Sequence, residues 1–328
     1  MRALLCKQFG PPETLVVEEQ PTPQVGPKQV LIDVQAAAVN FPDSLIIEDK
    51  YQLKPELPFS PGGELAGVVN TVGDEVKHLN AGDNVIAFTG YGAMAEQIAT
   101  DANRVIPMPD GVDHVTASAF VMTYGTTYHA LADRAALKSG ETLLVLGAAG
   151  GVGLAAIELG KALGAHVIAA ASSEEKLAVC REHGADETIN YVEEDLKDAI
   201  KTRTDGRGVD VVYDPVGGDM TEKALRGTAW RGRLLVIGFA AGTIPKPPLN
   251  LALLKGCAIV GVFWGRFVAT EPKANAADLK ALFGLLAEGK LRPHVAATYP
   301  LARGGEAIAA LAGREVSGKL VIIPRSES

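Results

Sequence analysis

A chain of 328 residues with 47% hydrophobic and 21% charged residues has the length for two domains and the composition of an ordinary globular protein. Its formal charge of −8 opposes nonspecific association with nucleic acid or anionic membranes. Cys6, Cys180 and Cys257 are odd in number and far apart, which suits reduced thiols in a cytoplasmic protein rather than a disulfide framework.

The run Ala3–Cys6 is too short for the apolar heart of an export signal. The uncharged stretch Thr142–Ile157 is interrupted by glycines and too short to span a bilayer. The first hundred residues are rich in β-branched residues, Pro and Gly, and predict short strands at Ala3–Leu5, Leu15–Glu18, Gln29–Ala37, Ala66–Val72 and Asn84–Phe88. Strands this closely spaced, with turn signals at Gly26-Pro27, Gly73-Asp74 and Ala81-Gly82-Asp83-Asn84, predict a β-barrel-like domain.

Near residue 115 the texture changes to α/β, with apolar strands alternating with helical segments. Strands are expected at Thr142–Leu146, His166–Ala170, Glu187–Ile189, Val209–Tyr213, Arg233–Ile237 and Ala258–Val262. Helices are expected at Val152–Leu163, Ser173–His183, Glu194–Thr202 and Thr221–Ala229. Beyond residue 265 the pattern gives a helix at Ala274–Glu288, a strand near Val295–Tyr299, a helix at Gly304–Ala312 and a last strand at Lys319–Ile323.

The strongest local signal is the apolar run Leu143–Leu146 feeding Gly147-Ala148-Ala149-Gly150-Gly151-Val152-Gly153. Strand, glycine turn and helix in that order make a dinucleotide-binding element: the glycines admit a pyrophosphate close to the backbone, and the helix start attracts its charge. Ala149, Gly150, Gly151 and Val152 are the residues placed against that group. Ala149 stands where the second glycine of the usual spacing would be.

An NAD-selective element carries Asp or Glu at the end of its second strand, to hold the ribose 2′-hydroxyl. Here that place reads Ala170-Ala171-Ser172-Ser173, with Lys176 following. Two hydroxyls and an ammonium suit a 2′-phosphate, so the cofactor expected is NADPH. The plain alternative is that Ser173 caps a helix and Lys176 is a solvated charge.

Three stretches together carry a resemblance over essentially the whole chain: Pro61-Gly62-Gly63-Glu64-Leu65-Ala66-Gly67-Val68-Val69, Ala81-Gly82-Asp83-Asn84-Val85 and the Ala148–Gly153 turn. In order and spacing they resemble the medium-chain dehydrogenase/reductase superfamily. With Asn40-Phe41-Pro42-Asp43, Ile189-Asn190-Tyr191, Asp214-Pro215-Val216-Gly217 and Ser317-Gly318-Lys319-Leu320, the chain is most similar to the zinc-free NADPH:quinone oxidoreductase (zeta-crystallin-like) branch.

The resemblance implies a Rossmann doubly wound parallel sheet plus a GroES-like β-barrel catalytic domain. Residues 1–120 would form the GroES-like domain, 121–262 the Rossmann NADPH-binding domain, and 263–328 the return to the catalytic domain. It implies that Asn40, Thr126, Ser172, Ser173, Lys176 and Tyr191 contact the cofactor, with Phe239, Phe263 and Trp264 near its nicotinamide half. Tyr51 matches a tyrosine that in relatives faces the substrate. Leu45 stands where bacterial relatives often have Tyr, and Glu158 where the branch commonly has Gln.

The alcohol dehydrogenases of this superfamily bind zinc through a cysteine on the early strand and a histidine in a Gly-His-Glu motif. Those places hold Asn40 and Gly63 here, so no metal is expected. Without a Lewis acid the acceptor must need little electrophilic help, as a quinone or conjugated carbonyl does, and Asn40 and Tyr51 are the catalytic candidates for polar contact with it. The alternatives are an enone, 2-alkenal or enoyl-thioester (acyl-CoA) reductase, and a noncatalytic NADPH-binding crystallin-like or RNA-binding protein. Relatives are commonly dimers, and the apolar Ala258–Trp264 run offers an edge for pairing, so a homodimer is expected, with no nucleic acid or membrane partner.

Overall fold

Apolar residues run almost without interruption along Gln29–Val39, and this strand of eleven residues is buried over most of its length at the centre of a seven-stranded sheet. The computed structural model describes residues 1–325. It divides into two units, Met1–Met122 joined by the segment from Pro293 onward, and Thr123–Arg292.

In the first unit the central strand pairs on one side with Glu64–Val72. On its other side two short strands lie end to end, Gln97–Asp101 along its first half and Lys319–Ile323 along its second. Register shifts at Leu31/Ile32 and Val34/Ala36 bend it, as bulges do. Asn84–Phe88 and Val105–Pro107 extend one flank and Val295–Pro300 the other. Leu4, Ile32, Val34, Ile47, Leu65, Val85, Met94 and Ile322 fill the core.

The pairings Leu320↔Val39 and Ala38↔Glu64 bring three polar residues together at one end of this sheet. They are Asn40, just past the central strand, and Glu64 and Lys319, each the first residue of its own strand.

The second unit holds six parallel strands in the spatial order Glu187–Asn190, His166–Ala171, Thr142–Leu146, Val209–Asp214, Thr228–Val236, Ala258–Gly261. Chain order reverses between Thr142–Leu146 and Val209–Asp214, which makes their C-terminal ends the switch point where doubly wound sheets bind ligands. Leu143 to Leu146 are wholly buried, as a strand covered by helices on both faces must be.

Several elements differ from expectation. The helix expected to run to Ala229 ends at Gly227, and the next strand begins at Thr228, where it pairs with Val209 across a bulge. Strands Gln97–Asp101 and Val105–Pro107 and helices Phe41–Ile47, His114–Ser118, Val121–Tyr128, Asn250–Lys255 and Trp264–Thr270 were not anticipated. The chain rejoins the first unit at Pro293, not at Phe263. The reason is packing: the Trp264 indole lies so close to Gly125 that a methyl there would come within 2.8 Å of it, and Phe267 stacks on His129 at 4.0 Å, which hold this segment in the second unit.

Candidate functional site

The glycine turn lies at the switch point and opens the helix Gly151–Ala162. Its entry is tied down by the Ala148 N–H, which donates to the Ala170 carbonyl at 3.1 Å, and by the Gly150 N–H, which donates to Gly147 at 3.0 Å. Gly150 is the N-cap, and no side chain caps the helix. The first amides of the helix therefore keep their need for an acceptor. A methyl on Gly150 would meet only the Gly147 oxygen, at 3.4 Å, and otherwise open space. Donors without a cap, a helix start and a bare approach fit a diphosphate. Ala149 is buried, and Gly150, Gly151 and Val152 are half-buried.

Ser172, Ser173, Lys176 and Tyr191 gather at the C-terminal ends of the two neighbouring strands and are all half-buried. The Tyr191 N–H donates to the Ala171 carbonyl at 3.2 Å. Ser173 does cap its helix, its hydroxyl accepting from the Lys176 N–H at a long 3.4 Å. Glu174 and Glu175, overlooked in the sequence reading, sit exposed in the first turn of that helix, where they favour its positive end. Arg181 pairs with Glu174, and the Ser173 hydroxyl reaches Glu175 at 3.4 Å.

Thr126 is half-buried on the helix Val121–Tyr128. Phe239 lies in a loop clipped to Asp214–Gly217: the Ala240 and Ala241 N–H groups donate to the Pro215 and Val216 carbonyls, and the buried Asp214 carboxylate accepts from the Val216 and Gly217 N–H groups at 2.9 Å. Phe263 is exposed, whereas Trp264 is buried against Gly125 and acts as a core residue.

In the first unit the two catalytic candidates have unlike surroundings. The Asn40 amide is fully engaged: Lys319 Nζ donates to its Oδ1, and its Nδ2 donates to Glu64 Oε1 at 3.0 Å. Lys319 also donates to Glu64 Oε1 at 3.0 Å, and Glu64 Oε2 accepts from the Met122 N–H at 2.9 Å. Asp43 accepts from the Asn40 N–H at 2.7 Å and the Gly62 N–H at 3.2 Å. Burial pushes its carboxyl up to about 7, against the pull of those bonds and of Lys319.

Tyr51 is half-buried on the apolar core and makes no hydrogen bond among the described residues. Burial, and then the charge of Asp43, raises its phenol, so the hydroxyl stays a donor at neutral pH. Sequence reasoning missed the Asp43, Glu64 and Lys319 assembly, although Asn40-x-x-Asp43, Gly63-Glu64 and Ser317-Gly318-Lys319 were all in view. Their convergence depends on strand register between segments far apart in the chain.

No three His, Cys, Asp or Glu side chains among the described residues are grouped to hold a metal ion, and no described helix is long and apolar enough to cross a membrane.

The profile of the alcohol dehydrogenase GroES-like domain matches residues 26–110, and that of the zinc-binding dehydrogenase family matches residues 151–281. A quinone oxidoreductase-like protein 2 homolog of Nematostella vectensis is 39% identical over 325 residues, 98% of this chain and 88% of that protein. The chain belongs to the medium-chain dehydrogenase/reductase superfamily, in its quinone oxidoreductase branch. It is an oxidoreductase of that family. The quinone oxidoreductase of Pseudomonas aeruginosa is 36% identical over 96% of this chain and 97% of its own length. Among solved structures, Escherichia coli quinone oxidoreductase complexed with NADPH superposes with a TM-score of 0.92 at 30% identity, covering 99% of this chain and all of that one. A probable oxidoreductase from Mycobacterium abscessus gives 0.91 at 39% identity, covering 99% of each chain. Both the GroES-like sheet and the Rossmann sheet are thus family features.

Proposed function

We propose that the chain is an NADPH-dependent reductase that passes hydride, without zinc, to a quinone or another conjugated carbonyl acceptor. The observation that carries this reading is the uncapped glycine helix start at the switch point, beside a strand end followed by Ser172 and Ser173, with no strand-end carboxylate and with Lys176 in the first turn of the next helix. Relatives named quinone oxidoreductase, one of them solved with NADPH, support it. Bound there, NADPH supplies the hydride.

The chain's own residues do the rest. Gly150, Gly151 and Val152 receive the diphosphate; Ser172, Ser173, Lys176 and Tyr191 surround the 2′-phosphoribose; Thr126, Phe239 and Phe263 serve the nicotinamide half. The Tyr51 hydroxyl, still free to donate, hydrogen-bonds the oxygen on which negative charge develops. Asn40 holds the backbone and the ion pair behind it. Support for the zinc-free part is chemical: Asn40 and Gly63 offer neither thiolate nor imidazole, and the Glu64 carboxylate that accepts from the Asn40 amide is already matched by the Lys319 ammonium.

The test is NADPH oxidation across quinones, enones, alkenals and acyl-thioesters, before and after chelation. Quinone or enone turnover unchanged by chelator supports the reading; background rates with every acceptor overturn it.

A homodimer is part of the same proposal. Ala258–Gly261 is an edge strand paired on one side only, and Trp230, Leu253, Leu254 and Ile259 are exposed. Sedimentation giving a monomer at micromolar concentration would remove the dimer. Unpaired Cys6, Cys180 and Cys257 suit a reducing, cytoplasmic setting.

A further inference from the structure

Glu158 lies inside the helix Gly151–Ala162 and is only 5% exposed. A carboxylate this deeply buried must have its oxygens satisfied. Three donors from three other segments of the second unit do so. Oε1 accepts from His183 Nδ1 at 2.7 Å, and Oε2 accepts from the Tyr124 hydroxyl at 2.7 Å and the Arg292 N–H at 2.9 Å. A carboxylate only accepts, so the proton of the His183 contact sits on Nδ1. Burial, and then the Glu158 charge, raises the Tyr124 phenol, which therefore stays a donor.

The partners lead to different parts of the coenzyme site. Tyr124 lies on the helix Val121–Tyr128, which also bears Thr126. His183 is the C-cap of the helix Glu174–Glu182, whose N-cap is Ser173 and whose first turn carries Lys176. The helix of Glu158 itself opens at the glycine turn. We propose that Glu158 is a positioning residue for the coenzyme: through Tyr124 and His183 it fixes the Thr126 helix and the Ser173–Lys176 helix in register with the glycine turn. The inference rests on the coenzyme site proposed above. A dinucleotide that touches all three helices gains most from having them held in place beforehand, whereas a fragment that touches fewer gains less.

Glu158→Gln carries its own signature. The Arg292 N–H can only donate, so the new amide oxygen must stand where Oε2 is, and the amide NH2 must face His183 Nδ1. Nδ1 then has to accept, and the ring proton moves to Nε2.

Calorimetry on the full chain with NADPH, and with adenosine 2′,5′-bisphosphate, which lacks the nicotinamide half that Thr126 serves, tests the proposal together with nitrogen-15 NMR of labelled histidines. Tyr124→Phe, which removes only the link to the Thr126 helix, should weaken NADPH by roughly fivefold and leave the bisphosphate unchanged. Glu158→Leu, which strands all three donors, should weaken NADPH by more than roughly tenfold, and Glu158→Gln should restore it to within about threefold of wild type. His183 Nδ1 should carry a proton in the wild type and none in Glu158→Gln. Tyr124→Phe leaving NADPH unchanged, or weakening both ligands alike, overturns the proposal. So does a Gln variant that binds no better than Leu or keeps the proton on Nδ1. Should Glu158→Leu fail to fold, Tyr124→Phe and Glu158→Gln, which preserve side-chain shape, decide. A wild type that binds neither ligand would sink the coenzyme site itself, whereas a wild type that binds both, with variants that bind equally well, would sink the role of Glu158 alone.

Discussion

A methyl group placed on Gly153 would lie 2.6 Å from the carbonyl oxygen of Ala148, and equally close to that of Gly147. The helix that follows the turn therefore rests directly on the turn's backbone, and only hydrogen fits between them. Gly150 is different, for its φ of −75° and ψ of 166° suit any residue and a methyl would meet little protein.

Two substitutions should separate fold from function. Gly153→Ala should lower the stability of unfolding by about 1–3 kcal/mol, the usual penalty for overpacking. Gly150→Val should change stability by less than about 1 kcal/mol yet weaken the nucleotide more than roughly tenfold, because its side chain enters the space a diphosphate needs. Denaturant unfolding and fluorescence titration check the pair.

Lys176→Ala should raise the KM for NADPH much more than that for NADH. Lys176 lies in the first turn of the helix that Ser173 caps, and in the proposed site only the phosphorylated ribose would carry extra charge for its ammonium to neutralise. Steady-state kinetics with both cofactors decide it, and equal effects would contradict the role assigned to Lys176.

Tyr51→Phe should lower kcat for quinones and enones by roughly tenfold to a hundredfold while leaving NADPH affinity unchanged, since the ring that packs on the core is kept and only the donor is lost. Full turnover with every acceptor would remove the phenol from the chemistry.

Asp43 should make stability fall as pH rises. Below about pH 4 the carboxyl is protonated in both folded and unfolded chains and contributes no difference. Between the ordinary value of 3.8 and about 7 the unfolded chain has released its proton and the folded one has not, so the folded state loses ground, by a total on the order of 4 kcal/mol, and the loss levels off above neutrality. Unfolding in guanidinium from about pH 5 to about pH 8, compared with Asp43→Asn, isolates this slope, which the variant should lack.

What could be read from the sequence followed what is local. Leu143–Leu146 is apolar throughout and ends in glycines, so strand, turn and helix were all legible, and Thr142–Leu146, Gly304–Ala312 and Lys319–Ile323 fall where patterning places them. Short helices such as Phe41–Ile47 gave no periodic signal, because seven residues make barely two turns. Val105–Pro107, three residues long, is a strand only because Asn84–Phe88 pairs with it. The Asn40, Glu64 and Lys319 assembly was invisible for the same reason: it joins residues up to 279 positions apart through register alone. Asn40 was thus singled out while the ammonium that engages its amide was not.

The central claim is that the glycine turn and the strand end beside it form a site for a phosphorylated dinucleotide. Calorimetry on metal-free protein with NADPH and with NADH tests this most directly. The account predicts that NADPH binds with one site per chain and more than roughly tenfold tighter than NADH, a difference above about 1.4 kcal/mol. Absence of NADPH binding, or tighter binding of NADH, would contradict it.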